Sequence, residues 1–92
     1  MPTAPKNAMR AVHPGEILRE EYLVPMDMSA NALAQAIGVP ANRISAIVSG
    51  QRGVTADTAL RLARALGTTP TFWLNLQHRL ERNFAHRLFI GA

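Results

Sequence analysis

Cysteine is absent from the 92 residues, which excludes a disulfide framework, a redox CxxC pair and any thiolate metal site. Aromatic residues are few. Tyr22, Phe72, Trp73, Phe84 and Phe89 make up the whole set, and four of them stand after residue 70. Long apolar runs are missing too. No window reaches the ~18 apolar residues that span a bilayer, and the opening stretch MPTAPKNAMRAVHPG lacks the apolar segment of a secretory signal. These absences lead to the expectation of one soluble cytoplasmic domain with no membrane partner. An apolar fraction of 48% is ordinary for a folded chain. A core this small, without staples, must rely on well-packed helices, on a partner, or on both.

Lysine is nearly absent as well: nine of the ten basic residues are arginine, the side chain suited to bidentate contacts with phosphate or carboxylate. The net charge of +4 is unevenly placed. Up to residue 50, Lys6, Arg10, Arg19 and Arg43 balance Glu16, Glu20, Glu21 and Asp27. The excess therefore lies entirely in residues 51–92, where Arg52, Arg61, Arg64, Arg79, Arg82 and Arg87 face only Asp57 and Glu81. Such an excess fits a polyanionic partner, but it also fits a solvated surface, and charge alone does not choose.

Residues 1–12 contain two prolines and little periodicity, and read as a flexible N-terminal arm. Residues 13–92 read as one domain of five short helical patterns. The first starts at His13-Pro14-Gly15-Glu16, with His13 as a cap, Pro14 at the first helical position and an acid in the first turn. Its apolar face is Ile17, Leu18 and Tyr22, and Pro25 is expected to stop it. The second is capped by Ser29 and runs through Leu33, Ala34 and Ile37 to Gly38. The third begins near Pro40 and carries Ile44, Ile47 and Val48. The fourth has Thr55 as its cap, Asp57 in its first turn, and Leu60, Leu62, Ala63 and Leu66 before Gly67. The fifth is capped by Thr69, with Pro70 at its first position, and runs at least to Ala85. No stretch alternates with period two, so no strand is expected.

The informative segment is residues 30–49, ANALAQAIGVPANRISAIVS. Two short helices pivot about Gly38, which tolerates the positive φ that the turn demands. Ala34 stands where a larger side chain would push the two helices apart. At 100° per residue, Ile44, Ile47 and Val48 share one side of the third helix. Asn42, Ser45, Ala46 and Ser49 then point outward, with Arg43 on the flank. That outer face is small, polar and free of acids, whereas a merely soluble helix tends to carry Glu and Lys. It suits a major groove, where Asn pairs with adenine, Ser with several base edges and Ala with a thymine methyl. Gln51 and Arg52 follow in the loop, within reach of phosphates or base edges. Ser29 and Asn31, where the second helix starts, are candidates for phosphate contacts.

This layout, all-α with five helices, resembles the Xre/Cro-type (lambda-repressor-like) helix-turn-helix repressors. The longer run from HPGEIL through NRISAIVSGQR and TADTALRLA to FWLNLQ resembles the HigA branch of that fold, the antitoxins of type II toxin–antitoxin modules. The resemblance covers roughly residues 10–77. It implies a homodimer that binds double-stranded operator DNA, represses its own operon and neutralises a small RelE-like (HigB-type) ribonuclease toxin. It further implies a recognition helix at Ala41–Val48, with Asn42, Arg43, Ser45 and Ala46 in base-contact positions. After Gln77 the sequence departs from the family's frequent Tyr-Asp-Leu continuation and reads HRLERNFAHRLFIGA.

Along the fifth helix Trp73, Leu76, Leu80 and Phe84 repeat at three and four residues. They serve either to close the domain's own core or to meet a second copy, and are the candidates for a dimer interface. An enzyme is not expected. His78 and His86 are eight apart, not the i,i+4 of a metal pair. The serines lack a G-x-S-x-G elbow, and there is no phosphate-cradling glycine loop. No catalytic residue, metal or cofactor is therefore expected. Two other functions remain open on the residues: a stand-alone repressor without a toxin, and a helical protein-interaction module.

Overall fold

The computed structural model describes residues 12–90, with side chains through Arg82. The expected N-terminal arm lies outside the described residues, save for Val12. Five helical units follow one another, and there is no strand among the described residues. Helix α1 spans Pro14–Leu18 and passes directly into a π-helical turn, Arg19–Leu23. Helices α2 (Ala30–Ile37), α3 (Ala41–Val48) and α4 (Ala56–Leu66) are regular. Helix α5 runs Pro70–Ile90, beyond the expected minimum at Ala85.

Most helix starts follow from single side chains. The Nδ1 of His13 accepts the Gly15 N–H at 2.9 Å. Ser29 Oγ accepts from Ala32 at 3.0 Å, Thr55 Oγ1 from Thr58 at 3.4 Å and Thr69 Oγ1 from Phe72 at 3.1 Å. Each satisfies a donor that the first turn of a helix leaves without an intrahelical partner.

Helix α1 departs from expectation in the form of its last turn. The helical winding ends at Leu23, before Pro25, but its last turn is π-helical, and a hydrogen-bonded turn follows in which the Met26 N–H donates to Tyr22 O at 3.0 Å and Asp27 has a φ of 53°. The Val24 N–H reaches back five residues to Arg19 O (2.9 Å), whereas that of Met26 reaches back four. The change of spacing falls on Pro25, the one residue with no N–H to place. The widened turn also resets the buried face. Leu18 and Leu23, five apart, are 0% and 5% exposed, while Ile17 and Tyr22 are only partly buried.

Leu18, Leu23, Leu33, Ala34, Ile37, Ile44, Ile47, Val54, Ala59, Leu62 and Trp73 form one core. Trp73 closes it from the start of α5. Its indole Nε1 donates to Thr68 Oγ1 at 2.7 Å, and its ring packs against Tyr22 and edge-on against Phe72. Helix α4 buries one face. Thr58, Ala59, Leu62 and Ala63 are buried, whereas Leu60 is 41% exposed in a shallow groove beside Ala36 and Arg64. Burial steps of three and four from Leu62 select Thr58 and Ala59, so an apolar residue at 60 falls on the far side.

Candidate nucleic-acid interface

Helix α3 is anchored by two side chains, Ile44 and Ile47, both 0% exposed. A third constraint is steric. The first turn of α1 lies so close to the last turn of α3 that a Cβ on Gly15 would run into the backbone of Ile47 and Val48. Glycine at this position is a matter of approach distance, and α1 thereby becomes the wall against which α3 is set.

Helix α2 meets α3 through Gly38, at φ 76°. Its N–H donates to Gln35 O, and that of Val39 to Ala34 O at 3.0 Å, the paired closure of a left-handed helix end. Ala34, 1% exposed, permits the close crossing. The turn is also held from outside. Arg61 of α4 donates through Nη1 to the Ile37 carbonyl at 2.7 Å, while its Nε is oriented by Asp57 at 3.0 Å. Helix α3 ends in the same way as α2, with Gly50 at φ 82° and the Gln51 N–H on Ala46 O at 2.9 Å.

With the buried stripe turned inward, Asn42, Ser45 and Ser49 are exposed and Ala46 half-buried. The hydroxyl of Ser45 donates back to Asn42 O at 3.3 Å and that of Ser49 to Ala46 O at 3.1 Å. In this state both present acceptor lone pairs outward. Arg43 is half-buried, and its Nε is buried without a hydrogen-bond acceptor. An unmet buried donor costs about 1–3 kcal/mol. Gln51 and Arg52 are exposed in the loop of residues 49–54, and Val54 closes the loop into the core at 4% exposure. Between Asp27 and Asp57 there is no acid, and the only charges are Arg43 and Arg52.

Ser29 and Asn31 are exposed at the start of α2, with Ser29 Oγ engaged as the cap. Of the four dimer candidates, Trp73 is 0% exposed within the chain's own core and offers no surface. Leu76 and Leu80 are half-buried, and the Phe84 side chain lies outside the described residues.

Sequence reasoning did not identify three residues around this face. One is Arg61, whose acceptor lies 24 residues away. The second is Gln77, whose Oε1 accepts the Val54 N–H at 2.9 Å across 23 residues. The third is His13, read only as a cap, whose ring also lies beside the backbone of Arg52. Burial holds the His13 pKa below its ordinary value, against the opposing pull of the Arg52 backbone and of Glu16. Asp57–Arg61 is a recognisable i,i+4 pair, but nothing local announces the backbone neighbours of the three. Among the described residues no cluster of His, Asp and Glu is arranged to hold a metal, and no helix is long and apolar enough to cross a membrane.

The helix-turn-helix family (HTH_3) matches this chain over residues 18–73. The chain is 56% identical over 84 residues to virulence-associated protein I of Dichelobacter nodosus, spanning 91% of this chain and 78% of that protein. It is 48% identical over 77 residues to antitoxin HigA-1 of Vibrio cholerae, spanning 83% of this chain and 71% of that one. Among solved structures, the Pseudomonas aeruginosa antitoxin HigA with the higBA promoter matches with a TM-score of 0.84 at 46% identity, covering 86% of each chain. The chain therefore belongs to the helix-turn-helix family, within its HigA antitoxin branch.

Proposed function

We propose that this protein is a sequence-specific DNA-binding repressor and antitoxin. It binds the promoter of its own operon as a two-fold dimer, and neutralises a small RelE-like ribonuclease toxin in the cytoplasm. The observation that carries the DNA reading is the outer face of α3: acid-free, lined by small polar side chains, and flanked by the half-buried Arg43. The P. aeruginosa HigA relative was solved with its promoter, which supports the same reading. In this reading Asn42, Arg43, Ser45 and Ala46 meet base edges, and Ser49, Gln51 and Arg52 meet edges or phosphates. Ser29 and Asn31 meet phosphate at the start of α2. The protein acts by binding, not by turnover.

One recognition helix reads only a few base pairs, so affinity requires two half-sites about one helical turn apart. Leu76, Leu80 and Phe84 on α5 are the side chains proposed to face the second copy. The test is a gel shift and footprint with the DNA upstream of the protein's own operon. The expected result is salt-steep binding over a palindromic site. No retention at moderate salt, or protection of a single half-site by a monomer, overturns the reading. The toxin is proposed to dock on a surface that is already folded. Hydrogen exchange on the free protein should be slow across α1, α4 and α5; a helix protected only when toxin is present would contradict this.

A further inference from the structure

The loop of residues 49–54 carries three of the proposed DNA contacts, Ser49, Gln51 and Arg52, yet almost none of its own side chains hold it in place. Its start is fixed by the closure of α3, Gln51 N–H to Ala46 O. Its middle lies beside the His13 ring. Its end is fixed from α5, where Gln77 Oε1 accepts the Val54 N–H at 2.9 Å. The other end of that amide is committed as well: Gln77 Nε2 donates to Glu81 Oε2 at 3.1 Å, one turn further along α5. This pairing dictates which way the amide points. With nitrogen on the carboxylate, the oxygen must face the loop. Gly53 makes room for it, since a Cβ there would stand 2.7 Å from Gln77 Oε1 and 2.8 Å from Nε2. The latch is separate from what seals the core. Trp73 and its bond to Thr68 perform that task a turn earlier on α5.

We infer that Gln77 is a positioning residue for DNA recognition: oriented by Glu81 and admitted by Gly53, its amide latches the end of the loop to α5 and presets Arg52 for the DNA. The inference rests on the DNA-binding reading above. Without the latch the loop must be ordered at the moment of binding, and affinity falls by the entropy of that ordering. The domain itself retains its core.

The experiment measures operator affinity at fixed salt and thermal stability in parallel, for the wild type, Arg52→Ala, Gln77→Leu and the double variant. Gln77→Leu should weaken operator binding about five- to tenfold, the scale of one neutral hydrogen bond, with a melting temperature lowered by no more than about 4–8 °C, so that the domain is folded in the binding assay. In the Arg52→Ala background the same change should have little further effect, because the group it positions is gone. A polarity exchange supplies the rescue. Gln77→Glu keeps an acceptor for Val54 but sets a second carboxylate against Glu81, and should weaken binding. Adding Glu81→Gln restores an amide–carboxylate pair at wild-type net charge, and should recover most of the affinity. If Gln77→Leu does not fold, the exchange pair carries the test alone. Undiminished binding by Gln77→Leu, losses at 52 and 77 that simply multiply, or no recovery in the exchange overturns the inference while wild-type binding stands. A wild-type protein that does not retain the operator overturns both readings.

Discussion

Helix α3 and the elements behind it, α1, α4 and α5, are built on opposite principles. Outward, α3 offers side chains with few commitments: Asn42 is exposed, the serine hydroxyls touch only their own helix, and Arg43 Nε has no acceptor. Behind it, α4 and α5 each send one polar side chain to a backbone group in the segments that flank α3. Arg61 reaches the Ile37 carbonyl and Gln77 the Val54 N–H. The contrast teaches how an eight-residue helix can be held in place while its outer face stays open. Too short to be stable alone, it is anchored by Ile44 and Ile47 and set between segments whose backbone α4 and α5 hold, leaving its outer side chains uncommitted.

The largest way to break the contrast is to separate α3 from its wall. Gly15→Ala places a methyl group against the backbone of Ile47 and Val48, where no flexible side chain can yield. It should destabilise by about 3 kcal/mol or more, at or beyond the upper end of overpacking, as read by urea denaturation. A loss under about 1 kcal/mol would show that α1 can slide without disturbing α3. Arg43→Ala tests the opposite side. Operator binding should weaken by about 1–3 kcal/mol if the guanidinium reads a guanine, while stability stays level or rises because an unmet buried donor is removed. Equal operator affinity in the variant would show that the docking face is elsewhere.

Arg61→Ala removes the grip on the Ile37 carbonyl. The expected destabilisation is about 1 kcal/mol, because the Asp57 pair is exposed and adds little. Loss of protection at the Gly38 and Val39 amides, measured by hydrogen exchange, should exceed that at α5. The smallest effect concerns pH. Burial lowers the folded-state pKa of His13 from 6.5, so below that value the unfolded chain takes up a proton that the folded chain resists. The contribution of His13 is therefore present in full above the unfolded pKa, and is lost as pH falls through the lowered folded one. Protonation of Nδ1 also ends its acceptance of the Gly15 N–H. His13→Asn keeps a capping acceptor without titrating. Urea midpoints measured from about pH 7 to about pH 5 should decline less steeply in the variant than in the wild type; parallel slopes would contradict the assignment.

Much of the candidate site was legible in the sequence because its determinants are local. The caps at His13, Ser29, Thr55 and Thr69 bond amides two or three residues on, and the positive φ of Gly38 follows from a turn between two periodic segments. The outer face of α3 follows from helical period alone. The winding ends before Pro25 as expected, but the π form of its last turn, which moves Leu23 into the core, has no sign in the residue types. One reading went differently, for a non-local reason. Trp73, grouped with the fifth-helix stripe as an interface candidate, is fully enclosed by Tyr22, Phe72 and the core.

The amino-acid sequence by itself determined the number of helices, where most of them begin, and which small polar side chains α3 turns outward. Those choices depend on groups within about one helical turn of each other, where residue type and spacing are the whole of the physics. Tertiary structure alone decided how the reading helix is held. The Arg61–Ile37 and Gln77–Val54 bonds join residues 24 and 23 apart, and each ends on a backbone atom. Every residue but proline carries both a carbonyl and an N–H, so residue type gives no sign of which one a distant arginine or glutamine will reach. Only the packing of α4 on α2, and of α5 on α4 and α1, selects the partner.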